Sequence, residues 1–229
     1  DVYKRQGPAY GSDDAGQRVV LPYLHYRGID RLDMLVVSHR DKDHAGGLDS
    51  VRAGITVERL LSSWPELAGS EPCARGQAWE WDGVRFAFLH PEAGRPLSGG
   101  NGDSCVLRVA APAGRLLLVG DIGVREEARL VAEQGALLSA EALLVPHHGS
   151  NTGSSLPFVA AVGPQFALVS AGYRNRFQHP RSEVVERYEG LGAKVWRTDR
   201  DGALLLDFGE GQVTLRSWRE AGRRYWWGR

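Results

Sequence analysis

The stretch Ser38-His39-Arg40-Asp41-Lys42-Asp43-His44-Ala45-Gly46-Gly47 follows an apolar run, Met34-Leu35-Val36-Val37, that predicts a buried strand about to end. Four residues able to bind a metal fall within six positions. A strand that ends in such a cluster delivers its side chains to the rim of a sheet, where loops can wrap them around an ion. Asp at such a place also caps helices, and a helix is expected from about Gly46 to Ala53. Two His residues bracketing two carboxylates favour the metal reading, because imidazole and carboxylate together suit a divalent transition ion.

The rest of the chain fits a soluble globular protein. Its 229 residues are 42% hydrophobic and 24% charged, enough for a sizeable core without staples. The 28 basic and 28 acidic residues cancel, so global charge points to no polyanionic partner. No apolar stretch reaches the length of a membrane span, and no signal-peptide pattern is present. The chain starts at Asp1 without Met, as a piece of something longer would. Cys73 and Cys105 form no CxxC motif; Cys105 lies in the apolar run Ser104-Cys105-Val106-Leu107, and a buried free thiol is expected there.

Residues 1–6 carry no pattern and are read as unstructured. A helix is predicted over Arg18–Tyr26, with Pro22 tolerable only near its first turn and His25 partly buried. Val57–Ser62 predicts a strand. Gln77–Trp81 and Val84–Leu89 flank Asp82-Gly83, a two-residue hairpin signal. Ser104–Ala110 and Arg115–Val119 predict a second hairpin. Later strands alternate with helices: Ala142–Val145, a helix near Leu156–Val162, Phe166–Ser170, a helix over Ser182–Leu191, then Val195–Thr198, Ala203–Phe208 and Gln212–Ser217. One α/β domain with two stacked sheets, residues 7–215, is expected.

Four apolar strands end in potential ligands. Leu35–Ser38 leads into His39–His44, Leu116–Val119 into Gly120-Asp121, Leu143–Val145 into His147-His148, and Leu168–Ser170 into a loop holding His179. Of the seven histidines, His39, His44, His147 and His148 all lie directly at strand ends. His90, before Pro91, has no ligand neighbour and is read as structural. In Ala171–Pro180, Arg174, Asn175, Arg176 and Phe177 offer cations for a nucleic-acid backbone and a ring for a base. The tail, 216–229, holds five Arg against one Glu, with Trp218, Tyr225, Trp226 and Trp227. It has the same ingredients, though it would also suit its own domain or a lipid surface.

His-x-Asp-x-Asp-His, then Gly-Asp at a strand end, then Val145-Pro146-His147-His148-Gly149-Ser150, resembles the metallo-β-lactamase fold, and more narrowly the C-terminal domain of the ComEC family of DNA-uptake competence proteins. Gly7-Pro8, Phe88-Leu89-His90-Pro91, Asn101–Leu107, the run Ala171–Pro180 and Arg197-Thr198-Asp199 continue the resemblance over nearly the whole chain. It implies a four-layer αββα sandwich with a binuclear metal site along one edge. The family's first strand, before Gly7-Pro8, is expected to be missing. Asp41 stands where the wider fold has its second His, as in the competence branch, and Asn101–Ser104 stand where the fold has a separate His.

The resemblance further implies that His39 and Asp41 hold one metal, Asp43 and His44 the other, with Asp121 bridging and His147 and His179 completing the set. His148 supports a ligand or faces the substrate, and the adjacent pair is left unranked. Asp43, His148 and Lys42 are the candidate catalytic residues, although Lys42 also reads as a solvated loop charge. Ser104, Ser150, Arg174, Asn175 and Arg176 are candidates for substrate contact. Carboxylate in place of imidazole hardens the site, so two divalent ions, Mn or Zn with Mg as a further option, are expected. Two cations roughly 3.5–4 Å apart suit in-line phosphodiester displacement.

The function implied is a nuclease that degrades the non-imported DNA strand. Its partners would be single-stranded DNA and a membrane-embedded channel portion of the same protein, placing a monomeric domain at an inner membrane. Two other readings stand beside it: a hydrolase of a small ester, lactone or thioester, favoured by a closed apolar pocket, and a non-catalytic domain that binds DNA or organises the channel.

Overall fold

A computed structural model describes residues 14–209 and 211–221. The expectations for residues 1–6, for Gly7-Pro8 and for Tyr225, Trp226 and Trp227 lie outside them. Among the described residues the chain folds as two compact units, 14–77 with 88–106, and 78–87 with 107–221.

The first unit is built on short parallel strands. A π-helical turn, Gly16–Val20, runs without a break into α1 (Leu21–Tyr26), with Pro22 at the second position of α1. Leu24 is buried, but His25 is exposed rather than partly buried. β1 (Arg31–Leu32) pairs in parallel with β3 (Thr56–Val57), and β2 (Leu35–Val37) with β4 (Leu60–Ser62), which also pairs with β5 (Glu71–Pro72). The single strand expected over Val57–Ser62 is thus two, split at Glu58-Arg59 and shared between two small sheets. α2 (Lys42–Ala45) and α3 (Leu48–Gly54) follow β2. Val20, Leu24, Leu35, Val37, Leu48 and Val51 form the core of this unit. Complete burial of one Leu or Val is worth about 1.5–3 kcal/mol.

Cys73 and Cys105 are joined by a disulfide, with Cα atoms 6.0 Å apart. This corrects the expected free thiol. Cys105 is buried, as its apolar run predicts, and Cys73 is sealed from solvent with it. Their pairing depends on the return of the chain beside β2, where the amide of Cys105 donates to the carbonyl of Ser38 at 2.9 Å.

The second unit carries a seven-stranded sheet in the order β12-β11-β10-β9-β8-β7-β6. β6 (Ala78–Trp81) and β7 (Val84–His90), whose last residues belong to the first unit, form the expected hairpin. Asp82 and Gly83 both have positive φ, +48° and +76°, as its two-residue turn requires. β8 (Val106–Ala111) and β9 (Gly114–Leu118) form the next hairpin. β10 (Ala142–Leu144), β11 (Phe166–Val169) and β12 (Lys194–Arg197) then add in parallel beside β9.

The crossovers in this unit are α4 (Val124–Leu138), α5 (Leu156–Val162) and α6 (Ser182–Gly190). Helices over the sheet explain why β10 and β11 read as unbroken apolar runs. The carboxylate of Glu126 accepts from the amide of Gly123 at 3.3 Å, which starts α4. β13 (Leu204–Gly209) and β14 (Gln212–Ser217) close the unit as an antiparallel pair, followed by α8 (Trp218–Ala221), with the one-turn α7 (Thr198–Asp201) before them.

Register decides what the parallel strands deliver. Leu118 pairs with Leu144, and Leu144 with Leu168. Asp121 and His147 each lie three residues beyond that level, and so leave the same edge of the sheet.

Candidate metal centre

In the first unit the end of β2 is fastened before it releases its ligands. The carbonyl of Val37 accepts from the Ser62 hydroxyl at 2.9 Å, and that of Ser38 from the Ser63 hydroxyl at 2.7 Å. Ser38 Oγ lies 3.2 Å from Nδ1 of His39 and 3.0 Å from Nδ1 of His44, and Ser104 Oγ is 3.2 Å from Nδ1 of His39. The two imidazoles are 4.1 Å apart between centroids. In the tautomer in which Nδ1–H of each ring donates to a serine, each ring's lone pair is on Nε2. Those nitrogens face carboxylates. Nε2 of His39 is 3.7 Å from Asp41, and Nε2 of His44 is 3.7 Å from Asp43. Two donors on one cation lie at most about 4.2 Å apart, twice a metal–ligand bond of about 2.1 Å, and both pairs are inside that limit.

Asp41 precedes α2 but makes no side-chain capping bond; only its carbonyl accepts, from the amides of His44 and Ala45 at 2.8 Å. Its carboxylate remains beside His39. Lys42 is exposed on the first turn of α2.

The loop Asn101–Ser104, which stands in place of a family His, has its own work. Asp103 is buried and takes the Ser98 amide and hydroxyl, the Gly99 amide and the Arg95 guanidinium. Burial pushes its carboxyl up, but these donors, Ser98 foremost, outweigh burial and hold it below the ordinary value. Asp103 is therefore a loop anchor. Ser104, expected at the substrate, is fully buried against His39 instead. His90 has the structural partner its reading asked for: its Nε2 lies 2.9 Å from the carbonyl of Gly102.

In the second unit Gly120, at φ +62°, turns the chain after β9 and Asp121 follows, buried. His147 and His148 are consecutive residues in the left-handed region, at φ +47° and +58°. Each such non-glycine residue costs on the order of 1–3 kcal/mol and persists only where its surroundings hold it. The amide of His147 donates to the carbonyl of Gly120 at 3.1 Å, and its Nδ1 is 2.7 Å from Thr152 Oγ1. Nε2 of His148 lies 3.2 Å from Asp121 Oδ2, that of His147 3.9 Å. The sequence left this pair unranked; within the second unit His148 is the closer of the two to Asp121. His179 reaches the same region, its ring 6.2 Å from that of His147.

Three devices behind these side chains had no sequence signal strong enough to find them. Glu127 on α4 is wholly buried and accepts from the amides of Ser154 and Ser155, fixing the loop that carries Thr152. Burial raises its carboxyl above the ordinary value despite those bonds. Tyr188 donates to Ser154 Oγ at 3.0 Å, and burial pushes its phenol up as well. Gly149, at φ +85°, leaves no room for a side chain: an added Cβ would lie 2.4 Å from Pro180. Only the Gly of His-His-Gly-Ser hinted at this contact.

Two further expected substrate contacts are occupied within the unit. Ser150 is buried, and its hydroxyl takes the Thr152 amide at 3.3 Å and hydroxyl at 3.1 Å. Asn175 uses its amide group at both ends, donating to the carbonyl of His179 at 2.7 Å and accepting from its amide at 2.9 Å. Arg174 and Arg176 are exposed.

Residues 10–173 match the family described as the Metallo-beta-lactamase superfamily. The chain is 42% identical over 204 residues to "Competence protein ComA" of Neisseria gonorrhoeae, covering 89% of this chain and 29% of that protein. It is 29% identical over 205 residues to "ComE operon protein 3" of Bacillus subtilis, covering 82% and 26% respectively. It thus spans less than a third of either relative. Among solved structures, CmlA, a diiron β-hydroxylase from Streptomyces venezuelae, aligns with a TM-score of 0.49 at 13% identity, over 73% of this chain and 44% of that one.

Proposed function

This chain belongs to the metallo-beta-lactamase superfamily, with the α/β fold expected of it, and on that footing we propose that it is a metal-dependent phosphodiesterase acting on DNA. In this reading it is the hydrolase domain of a competence-type DNA-uptake protein and degrades the strand that is not imported. The observation that carries it is the donor chemistry. In each unit an imidazole Nε2 faces a carboxylate 3.2–3.7 Å away. In the first unit the far nitrogens are tied to serines, the arrangement of a metal-binding His.

In this reading Asp43 and His44 would hold one cation and His39 with Asp41 a second, and Asp121 and His148 of the second unit would supply further donors. His147 and His179 complete the set. Three carboxylates among these donors suit Mn or Zn, with Mg as the harder alternative. When bound, such ions lower the pKa of a water and screen the phosphate's charge. The protein's own groups do the rest. Ser38 and Ser104 keep the imidazole tautomers, and Thr152 aims His147. Lys42 of the first unit and the guanidinium groups of Arg174 and Arg176 of the second, all exposed, would bind phosphates; attack of water on phosphorus breaks one P–O bond, and the released alkoxide takes its proton from solvent. Ser104, Ser150 and Asn175 position protein groups and take no part in substrate contact.

Among the described residues no helix is long and apolar enough to cross a membrane. We propose that a membrane-embedded channel portion of the same protein holds this domain, one copy per channel, on an oxidising face of the inner membrane. The Cys73–Cys105 disulfide supports that side, since such bonds persist in oxidising compartments.

The test is cleavage of labelled single-stranded DNA by chelator-stripped protein with Mn or Zn restored. Activity is expected only with metal and is expected to fall to the metal-free background in an Asp43→Ala, His44→Ala double variant. Cleavage that survives the double substitution overturns the assigned site. Failure on DNA, together with turnover of a small ester or thioester, overturns the substrate.

A further inference from the structure

The loop between β11 and α6 presents aromatic rings where a soluble surface ordinarily hides them. Tyr173 is 71% exposed and Phe177 55% exposed, yet neither is loose. The Arg174 guanidinium lies over the Tyr173 ring, 5.3 Å from its centroid, and that of Arg176 over Phe177 at 4.7 Å. Phe177 is nearly parallel to His179, 17° between planes and 5.7 Å between centroids. The backbone beneath is set by Asn175, which bonds both ends of its amide to His179 and also reaches the carbonyl of Gly172 at 3.1 Å. Arg174 and Gln178 hold left-handed φ of +49° and +55°.

We propose that this loop is a base-stacking platform for a single polynucleotide strand, deepening the reading of the chain as a DNA phosphodiesterase and resting on it. Flat rings and guanidinium planes offer π surface to any base, and the same guanidinium charges neutralise the strand's phosphates. A duplex keeps its bases stacked on each other and has none to give. The platform therefore selects strand state and not sequence. Its continuity with His179, whose ring neighbours that of His147, sets a stacked nucleotide beside the second unit's ligands. A lipid surface is the weaker occupant, because the exposed apolar side chains of the loop are two rings already paired with cations and include no long aliphatic group to insert.

The experiment is equilibrium binding in chelator, where hydrolysis is off, so that failure of the platform and failure of the catalytic reading are separate results. The probes are labelled oligothymidine, an abasic strand of equal length, and a duplex. Native protein is expected to bind oligothymidine at least fivefold more tightly than either of the others. A Tyr173→Ala, Phe177→Ala variant is expected to lose at least fivefold on oligothymidine and nothing on the abasic strand. An Arg174→Ala, Arg176→Ala variant is expected to weaken both single strands and flatten their salt dependence. Equal affinity for the abasic strand and oligothymidine overturns the proposal. So does an aromatic variant that binds oligothymidine as the native protein does while losing affinity for anionic phospholipid vesicles. Circular dichroism of each variant establishes that the fold is retained.

Discussion

At the scale of the residue, the first unit's histidines are aimed by serines. Ser38 serves both rings at 3.0 and 3.2 Å, and Ser104 adds a second contact to His39. Such partners fix the tautomer and ring orientation, and their loss typically costs 10–100-fold in metal affinity. A Ser38→Ala, Ser104→Ala variant is expected to fall in that range when titrated with Zn or Mn against a competing chelator, with its secondary structure retained. Undiminished affinity would mean that the imidazoles are held by packing alone. The spacing of His39, Asp41, Asp43 and His44 was legible in the sequence because all four sit within one loop and one helical turn. Ser104 was visible as a residue but not as a partner of His39, since 65 positions separate them.

At the scale of the element, parallel pairing explains why strand ends collect the ligands. Leu118, Leu144 and Leu168 stand in register, so the chain leaves β9, β10 and β11 at one edge. That much followed from apolar runs ending in Asp and His. How the loops hold their shape did not. The turn Thr152–Ser155 is fastened through Glu127, which lies 27 residues before Ser154 on the crossover helix α4. Glu127→Ala would leave the buried amide of Ser154 and the half-buried amide of Ser155 without this acceptor, at about 1–3 kcal/mol each. Denaturant unfolding is expected to show a loss of about 2–4 kcal/mol, accompanied by weaker metal binding as Thr152 releases His147. The folded-state pKa of Glu127 is raised, so the native state binds its proton more tightly than the unfolded chain does. Its contribution is most favourable in acid and declines as pH rises from the ordinary value through the folded one. The Ala variant should lose that slope. Destabilisation that is unchanged across this range would remove Glu127 as its source.

At the scale of the whole molecule, the disulfide has the longest reach of any covalent device in the first unit. It closes 32 residues and joins the segment bearing Ser104, just before β8, to the segment after β5. A loop of that length corresponds to about 3–4 kcal/mol through the entropy of the unfolded chain. Reduction, or a Cys73→Ala, Cys105→Ala pair, is expected to lower denaturant stability by that order. Thiol titration of the denatured native protein without reductant should find no free thiol. Two titratable thiols would refute the bond and with it the support for an oxidising compartment.

What the sequence determined by itself was local: the apolar runs, the hairpin at Asp82-Gly83, the helix over Leu156–Val162, and the polar clusters at four strand ends. Each of these is written in neighbouring residues, and periodicity and turn chemistry act over a few positions. Tertiary structure alone decided that Cys73 meets Cys105 and that His148 comes nearer to Asp121 than His147 does. It also decided that Ser104, Ser150 and Asn175 bond to His39, Thr152 and His179. Those outcomes depend on register and on hydrogen bonds between distant segments. No local propensity encodes which buried donor will find which acceptor once the strands have paired.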